Sequence, residues 1–352
     1  MKKNLLVFGF FFFLIFPAGF SHNLSLHAPI PGVQVQTEPT KKEKIEGTKP
    51  NLTPSHPENQ IRVITIDNYW KLWVFDPALL MLSLWTFLYW NYLRKQGQKR
   101  RKYPTEKDLF QTDWVASFCF FSSLVVIALA LCSPIAFLSD INFSSHMIEH
   151  SLLMLVAAPL FVAGKAFPFL LQGTPRIFLP WVVWLGKSKI LHKIFSFLTF
   201  PVVSLGLYLL NLALWHIPFF YNLTLTNQLI HYLEHILMFI FGVLFWWNIF
   251  SPYKNLKGLQ FIPYLFVPLV FDNAFSGIIT FANSDIYAYP PTISLGLNTF
   301  EHQRLGGALM FMFGSTINMT VMAVLFLKEF QKQNPAKDFL QIASENPKLE
   351  NS

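Results

Sequence analysis

The strongest constraint in this sequence is a series of seven long apolar stretches, near residues 72–93, 114–138, 146–171, 197–217, 229–250, 261–283 and 303–327. Each can cross about 30 Å of hydrocarbon as a helix, which takes roughly 20 residues. Inside lipid the backbone must satisfy its own hydrogen bonds, as a helix or in a closed barrel. These runs lack the two-residue alternation of barrel strands. The sequence therefore predicts an all-α fold, an integral membrane bundle of seven transmembrane helices. Composition agrees. Only 13% of residues are charged and 53% are hydrophobic, whereas soluble domains carry about 25% charged residues.

The flanks divide the rest of the chain. Residues 1–21 begin Met1-Lys2-Lys3, run apolar to Phe16 and end Pro17-Ala18-Gly19-Phe20-Ser21. This pattern predicts a signal peptide cleaved after Ser21, with an uncleaved anchor as the alternative. Residues 22–66 are rich in Pro, Thr, Lys, Glu and Asn. They are expected to form a flexible extracytoplasmic arm that contributes nothing to folding stability. His22, His27 and His56 fall in this arm. The membrane domain is then 67–328, and 329–352 is a cytoplasmic tail.

Orientation follows from the basic residues. Arg94, Lys95, Lys99, Arg100, Arg101, Lys102 and Lys107 lie between spans one and two; Lys165, Arg176, Lys187, Lys189 and Lys193 lie between spans three and four. Lys254 and Lys257 lie between spans five and six, and Lys328, Lys332, Lys337 and Lys348 follow the last span. The alternate connections, near 139–145, 218–228 and 284–300, hold no Lys or Arg. The positive-inside rule puts the basic set in the cytoplasm, with the arm outside and the C-terminus inside. A multi-pass protein of a bacterial cell (inner) membrane is expected. The net charge of +8 is accounted for by topology, so the lipid bilayer and not nucleic acid is the expected partner. Cys119 and Cys132 lie 13 residues apart in one run. That is about 20 Å along a helix, too far for a disulfide or a shared metal.

Six of the ten histidines fall at or near the outer ends of spans: His146, His150, His216, His231, His235 and His302. Two of the spans open with the same pattern, His146-Met147-Ile148-Glu149-His150 and His231-Tyr232-Leu233-Glu234-His235. Positions i and i+4 share one helix face, so each pair can grip one metal ion. Glu149 and Glu234 could serve as ligands or orient imidazoles from behind. Met154 continues the face in span three and Met238 lies close to it in span five; thioether with imidazole suits Cu(I). Asp76 and Asp285 lie at the same outer level. Deeper, Asp272 is suited either to proton or ion passage or to a structural hydrogen bond.

H-x-x-E-H is also a metalloprotease pattern, with two zinc ligands and a general base. An intramembrane metalloprotease is therefore the alternative to a non-enzymatic metal-binding protein, although such a protease needs one copy and this chain has two. A bis-histidine haem protein is a third reading, since imidazole also ligates haem iron.

These motifs resemble the polytopic CtaG assembly factors of caa3-type cytochrome c oxidase. The resemblance is carried by His146 to His150 running into Ala157-Ala158-Pro159-Leu160 and Gly164, and by Leu214-Trp215-His216-Ile217-Pro218. It continues in His231 to His235 with Gly242 and Trp246-Trp247, in Tyr287-Ala288-Tyr289-Pro290, and in Gln303-Arg304-Leu305-Gly306-Gly307. Together these span about residues 70–327. The resemblance implies a membrane assembly factor for haem–copper oxidase, with cytochrome c oxidase subunits as partners and copper as the metal; zinc and haem iron stay open. One departure is that an acidic residue is expected where His302 stands, which makes His302 the weakest member of the metal set. The topology gives a direct expectation. Reporter fusions at residue 222 and at the C-terminus should lie on opposite sides of the membrane, and a shared side would overturn the assignment.

Overall fold

A computed structural model describes residues 33–39, 60–66, 69–102 and 114–332. The expected signal peptide, the arm histidines His22, His27 and His56, and tail residues 333–352 lie outside the described residues. In chain order the helices of the bundle are α1 (Ala78–Lys102), α2 (Trp114–Cys132), α3 (Pro134–Ser139) and α4 (Phe143–Ser151). Helix α4 continues through a wider π-helical segment, Leu152–Ala157, into α5 (Ala158–Ala163). Next come α6 (Ala166–Gly173), α7 (Leu179–Gly186), α8 (Lys189–Leu198), α9 (Pro201–His216), α10 (Pro218–Thr226), α11 (Gln228–Phe250) and α12 (Phe261–Thr280). The last helix, α13, is Thr299–Lys332.

Among the described residues, five helical stretches are long and apolar enough to cross a membrane: Trp114–Cys132, Phe143–Ala163, Gln228–Phe250, Gly258–Thr280 and Thr299–Lys332. A sixth is made by α8 and α9 together, bent by 68° at their junction. The break has a local cause, because Pro201 at the first position of α9 cannot continue the helix before it. The first expected span corresponds to α1. Its apolar residues stop at Leu93 and the helix runs on through Arg94, Lys95 and Lys99, so it does not read as a span by composition. Lys95 serves a structural purpose there. Its ammonium donates to the carbonyls of Gln172 and Thr174, 2.9 and 2.8 Å away, which closes the C-terminal end of α6. Large apolar side chains such as Trp90, Phe118, Trp181, Trp184 and Phe219 are exposed, as a lipid-facing surface requires.

The chain is not purely helical, and this corrects the reading of residues 22–66 as wholly flexible. Strand β1 (Val33–Pro39) pairs antiparallel with β2 (Gln60–Ile66). Strand β2 pairs in parallel with β3 (Thr292–Ser294), and β3 turns back into β4 (Leu297–Asn298). Strand β1 carries β-branched residues in alternation, Val33-Gln34-Val35-Gln36-Thr37, a period-2 signal inside a polar segment, and β2 is rich in β-branched residues, Val63-Ile64-Thr65-Ile66. Ile64 is 5% exposed and packs with Leu72, Phe137, Leu138 and Ile141. The arm is thereby joined to the connection that precedes α13.

The π segment brings α11 unusually close. A side chain at Gly242 would put Cβ 3.1 Å from Ala158 Cβ and 3.3 Å from Met154 Cα. The Trp246 indole donates to the Met154 carbonyl at 2.8 Å, and the Ser123 hydroxyl donates to the Ala157 carbonyl at 2.9 Å. These donors occupy carbonyls along the wider turn, where the regular helical ladder is interrupted. Gly306 makes the same kind of approach, against the Phe143 ring at the start of α4.

Two outcomes follow. Ile64→Ala should destabilise the protein by about 2 kcal/mol, read as a lowered melting temperature, because it empties a buried position; no change would mean the strand does not pack. Gly242→Leu should cost about 1–3 kcal/mol through overpacking, and an unaffected variant would rule out the close approach of α11 to the π segment.

Candidate metal centre

Helix α4 begins at a well-defined point. Asn142 caps it, its side-chain oxygen accepting from the Ser145 N–H at 2.9 Å. Helix α11 begins the same way, with the Asn227 oxygen accepting from Leu229 and Ile230. Each H-x-x-E-H sequence thus occupies the opening turns of its helix. The two starts are at the same end of the bundle, tied together by the connections around them. The Ala288 N–H donates to the Asn222 side chain, and the Tyr289 hydroxyl donates to the Ser139 carbonyl.

The two motifs interlock. Glu234, from α11, faces the α4 pair: its carboxylate oxygens lie 3.4 Å from His146 Nε2 and 3.5 Å from His150 Nε2. Glu149, from α4, faces α11, with one oxygen 3.6 Å from His235 Nε2. His146 and His150 approach each other at 2.8 Å between Nε2 atoms. The rings of His146 and His231 lie 5.1 Å apart, and those of His150 and His235 5.5 Å apart. Two groups could each hold a metal ion, their ligand atoms all within 4.8 Å: His146, His150, Glu234 and His235; and Glu149, His231 and His235. His235 belongs to both.

The distances between carboxylate and imidazole discriminate between packing and coordination. Charge-assisted N–H···O bonds run about 2.7–2.9 Å, so separations of 3.4–3.6 Å are too long for good hydrogen bonds. Four ligands about 2.0 Å from a tetrahedral metal are about 3.3 Å from one another. Both Glu234 oxygens, Glu149 Oε2, His235 Nε2 and His231 Nε2 are buried without a hydrogen-bond partner among the described residues. Glu234 is 0% exposed. A buried carboxylate in that state is costly unless a cation or a proton neutralises it.

The imidazoles are held from behind. Tyr289 Oη lies 2.8 Å from Tyr221 Oη, 3.2 Å from the Ser139 carbonyl and 3.4 Å from His146 Nδ1. Burial pushes the Tyr289 phenol well above its ordinary range, so it remains a hydroxyl. Donating that proton to Ser139, it can accept from His146 Nδ1–H, which leaves the Nε2 lone pair facing Glu234. His231 Nδ1 lies 3.6 Å from Asp140. Tyr289 belongs to the Tyr287-Ala288-Tyr289-Pro290 motif that carries the resemblance, without a role assigned by the sequence; Asp140 is not singled out by sequence pattern, and its place in a connection free of Lys and Arg is the available signal.

The remaining expected site residues fall elsewhere. His216 Nδ1 donates to the Leu212 carbonyl at 2.7 Å, and the residue joins neither group. Asp76 caps α1 by accepting from Ala78 N–H and lines a cavity of about 40 Å³ shared with Asp140, Glu149, His231 and His235. Asp285 is exposed in its connection and belongs to neither group.

His302 belongs to neither group. Its Nδ1 lies 2.7 Å from Ser144 Oγ, and its Nε2 lies 2.9 Å from both the hydroxyl and the carbonyl of Ser294. Both ring nitrogens are occupied, so this residue clamps α4, β3 and α13 together. Cys119 and Cys132 are in no disulfide among the described residues. His302→Ala should therefore lower stability by about 2 kcal/mol through lost buried hydrogen bonds. A variant with unchanged unfolding would return His302 to the metal set.

No curated protein matches the chain. No solved structure matches it either. Residues 90–332, more than half of the chain and inclusive of every histidine and glutamate of the two groups, match the cytochrome c oxidase caa3 assembly factor family, and the chain belongs to that family.

Proposed function

We propose that this assembly factor handles copper for the oxidase, holding one ion between His146, His150, His235 and Glu234 before passing it on. The observation that carries the reading is Glu234: a fully buried carboxylate with no hydrogen-bond partner among the described residues, set among three imidazole nitrogens at ligand-to-ligand spacing. A single carboxylate beside neutral imidazoles balances one monovalent cation, so loading removes a buried charge instead of creating one. Glu149 and His231 make the adjoining position, reached from the small cavity that Asp76 and Asp140 line. Their carboxylates attract cations towards it.

The protease and haem readings fare worse. Each glutamate is aimed at the other helix's histidines and not at a water held by its own pair. The adjoining cavity, about 40 Å³, admits a water or an ion and neither a peptide nor a porphyrin. We read the role as non-enzymatic. We further propose the seven-span topology, with α1 as the first span and the histidine cluster towards the outside of a bacterial cell membrane. The signal, arm and tail would flank that domain.

Detergent-purified protein loaded with copper tests the site. Glu234→Gln and His150→Ala should each lower copper affinity at least about tenfold while the protein stays in the membrane, and replacing His192, which lies in α8 and belongs to neither group, by Ala should leave it unchanged. Retention should also fall in acid, once the imidazoles protonate and lose their lone pairs. Zinc or haem iron co-purifying in place of copper would overturn the reading, as would full oxidase assembly by both variants under copper limitation.

A further inference from the structure

Behind His150 lies a second small cavity, about 30 Å³, lined by Met147, Met154, Met238, Met310, His150 and His216. Four of the chain's nine methionines converge there from four elements: α4, the π segment, α11 and α13. The cavity sits where the two large apolar clusters of the bundle meet, Met154 and Met238 belonging to one and Met147 and Met310 to the other. Flexible methionine side chains ordinarily fill such gaps in a core. Here they leave a space, and it contains nitrogen.

His216 donates its Nδ1 proton to the Leu212 carbonyl, so Nε2 carries a lone pair. That atom is buried without a partner among the described residues, and so is His150 Nδ1. Both residues are less than 10% exposed. Met238 is positioned by the Asn211 amide, 3.1 Å from its sulfur, and a thioether keeps a second lone pair. Asp272 also lines the cavity. Soft thioether sulfur with imidazole nitrogen favours Cu(I) over harder divalent ions.

We propose that this chamber is a second, inner site for a soft monovalent cation, Cu(I), built from His216 and the four methionines and distinct from the interlocked cage. The inference rests on the reading of the cage as a copper site, and His150 connects the two. Its Nε2 faces His146 and Glu234 while its ring also lines the chamber. A neutral imidazole has one lone pair, so His150 serves one site at a time. No redox step is involved, since the ion enters and leaves the chamber monovalent.

Silver(I), a redox-inert soft monovalent ion, is the probe. Purified full-length protein should bind two equivalents. The Met154→Leu/Met310→Leu variant should bind one, and Glu234→Gln should lose the other. Leu replaces Met at similar volume, so folding should survive. A second measurement needs no variant. In selenomethionine-labelled wild-type protein, the selenium absorption edge should show silver as a near neighbour after loading. The chamber is disproved by an unchanged equivalent count in the methionine variant together with no silver neighbour at selenium. Loss of binding in the methionine variant with none in Glu234→Gln would support the chamber and count against the cage.

Discussion

Two carboxylates buried between two helices set the terms for the rest of this structure. Glu149 and Glu234 are each about 1% exposed or less, and each faces histidines on the opposite helix. The exchange is reciprocal, so it fixes the register of α4 against α11 more tightly than apolar packing would. A shift of one residue would carry a glutamate away from its imidazoles and into apolar surroundings, at several kcal/mol. The caps at Asn142 and Asn227, the Tyr221–Tyr289 pair and the His302 clamp all act at this end of the bundle. They hold the opening turns steady, so that the charged groups meet.

The geometry below the cluster serves the same purpose. An ordinary α-helix from Phe143 to Ala163 would present a side chain every 100° with no local widening. The π segment alters that rotation just beyond His150, and Gly242 lets α11 come into backbone contact there. The histidine face above and the methionine face below can thus both be turned towards α11. Small residues and wider turns of this kind allow close helix pairing where the hydrophobic effect supplies no drive between helices.

Much of this is legible in the residue order, and the limits have physical causes. The i, i+4 spacing puts two histidines on one face of any helix, so the pairs are visible in the sequence alone. The crossing of Glu149 and Glu234 is not, because sequence periodicity gives the face of one helix and says nothing of its register against another. Depth alone suggests His302 and Asp285. Depth does not show that one has both nitrogens bonded and the other points to solvent. The strands at 33–39 and 60–66 are hidden by their surroundings. Their β-branched content is clear, but the segment is too polar to fold by itself and gains its partner, β3, from the far end of the chain.

That last pairing governs the order in which the molecule can be completed. Arg62 lies opposite Thr292, so a strand made early must wait for a strand made 230 positions later. Contacts of such long sequence separation form late. The connection that supplies β3 also carries Tyr289, which braces His146, and Ser294, which anchors His302. Until that connection has emerged and docked, α4 and α11 can be inserted with their histidines in place, yet the cluster lacks its brace. A chain interrupted before that connection would therefore leave the histidine cluster without its brace, and only a chain that has passed it can order the cluster. In this fold, the order of the histidine cluster is also a report that synthesis and insertion have been completed.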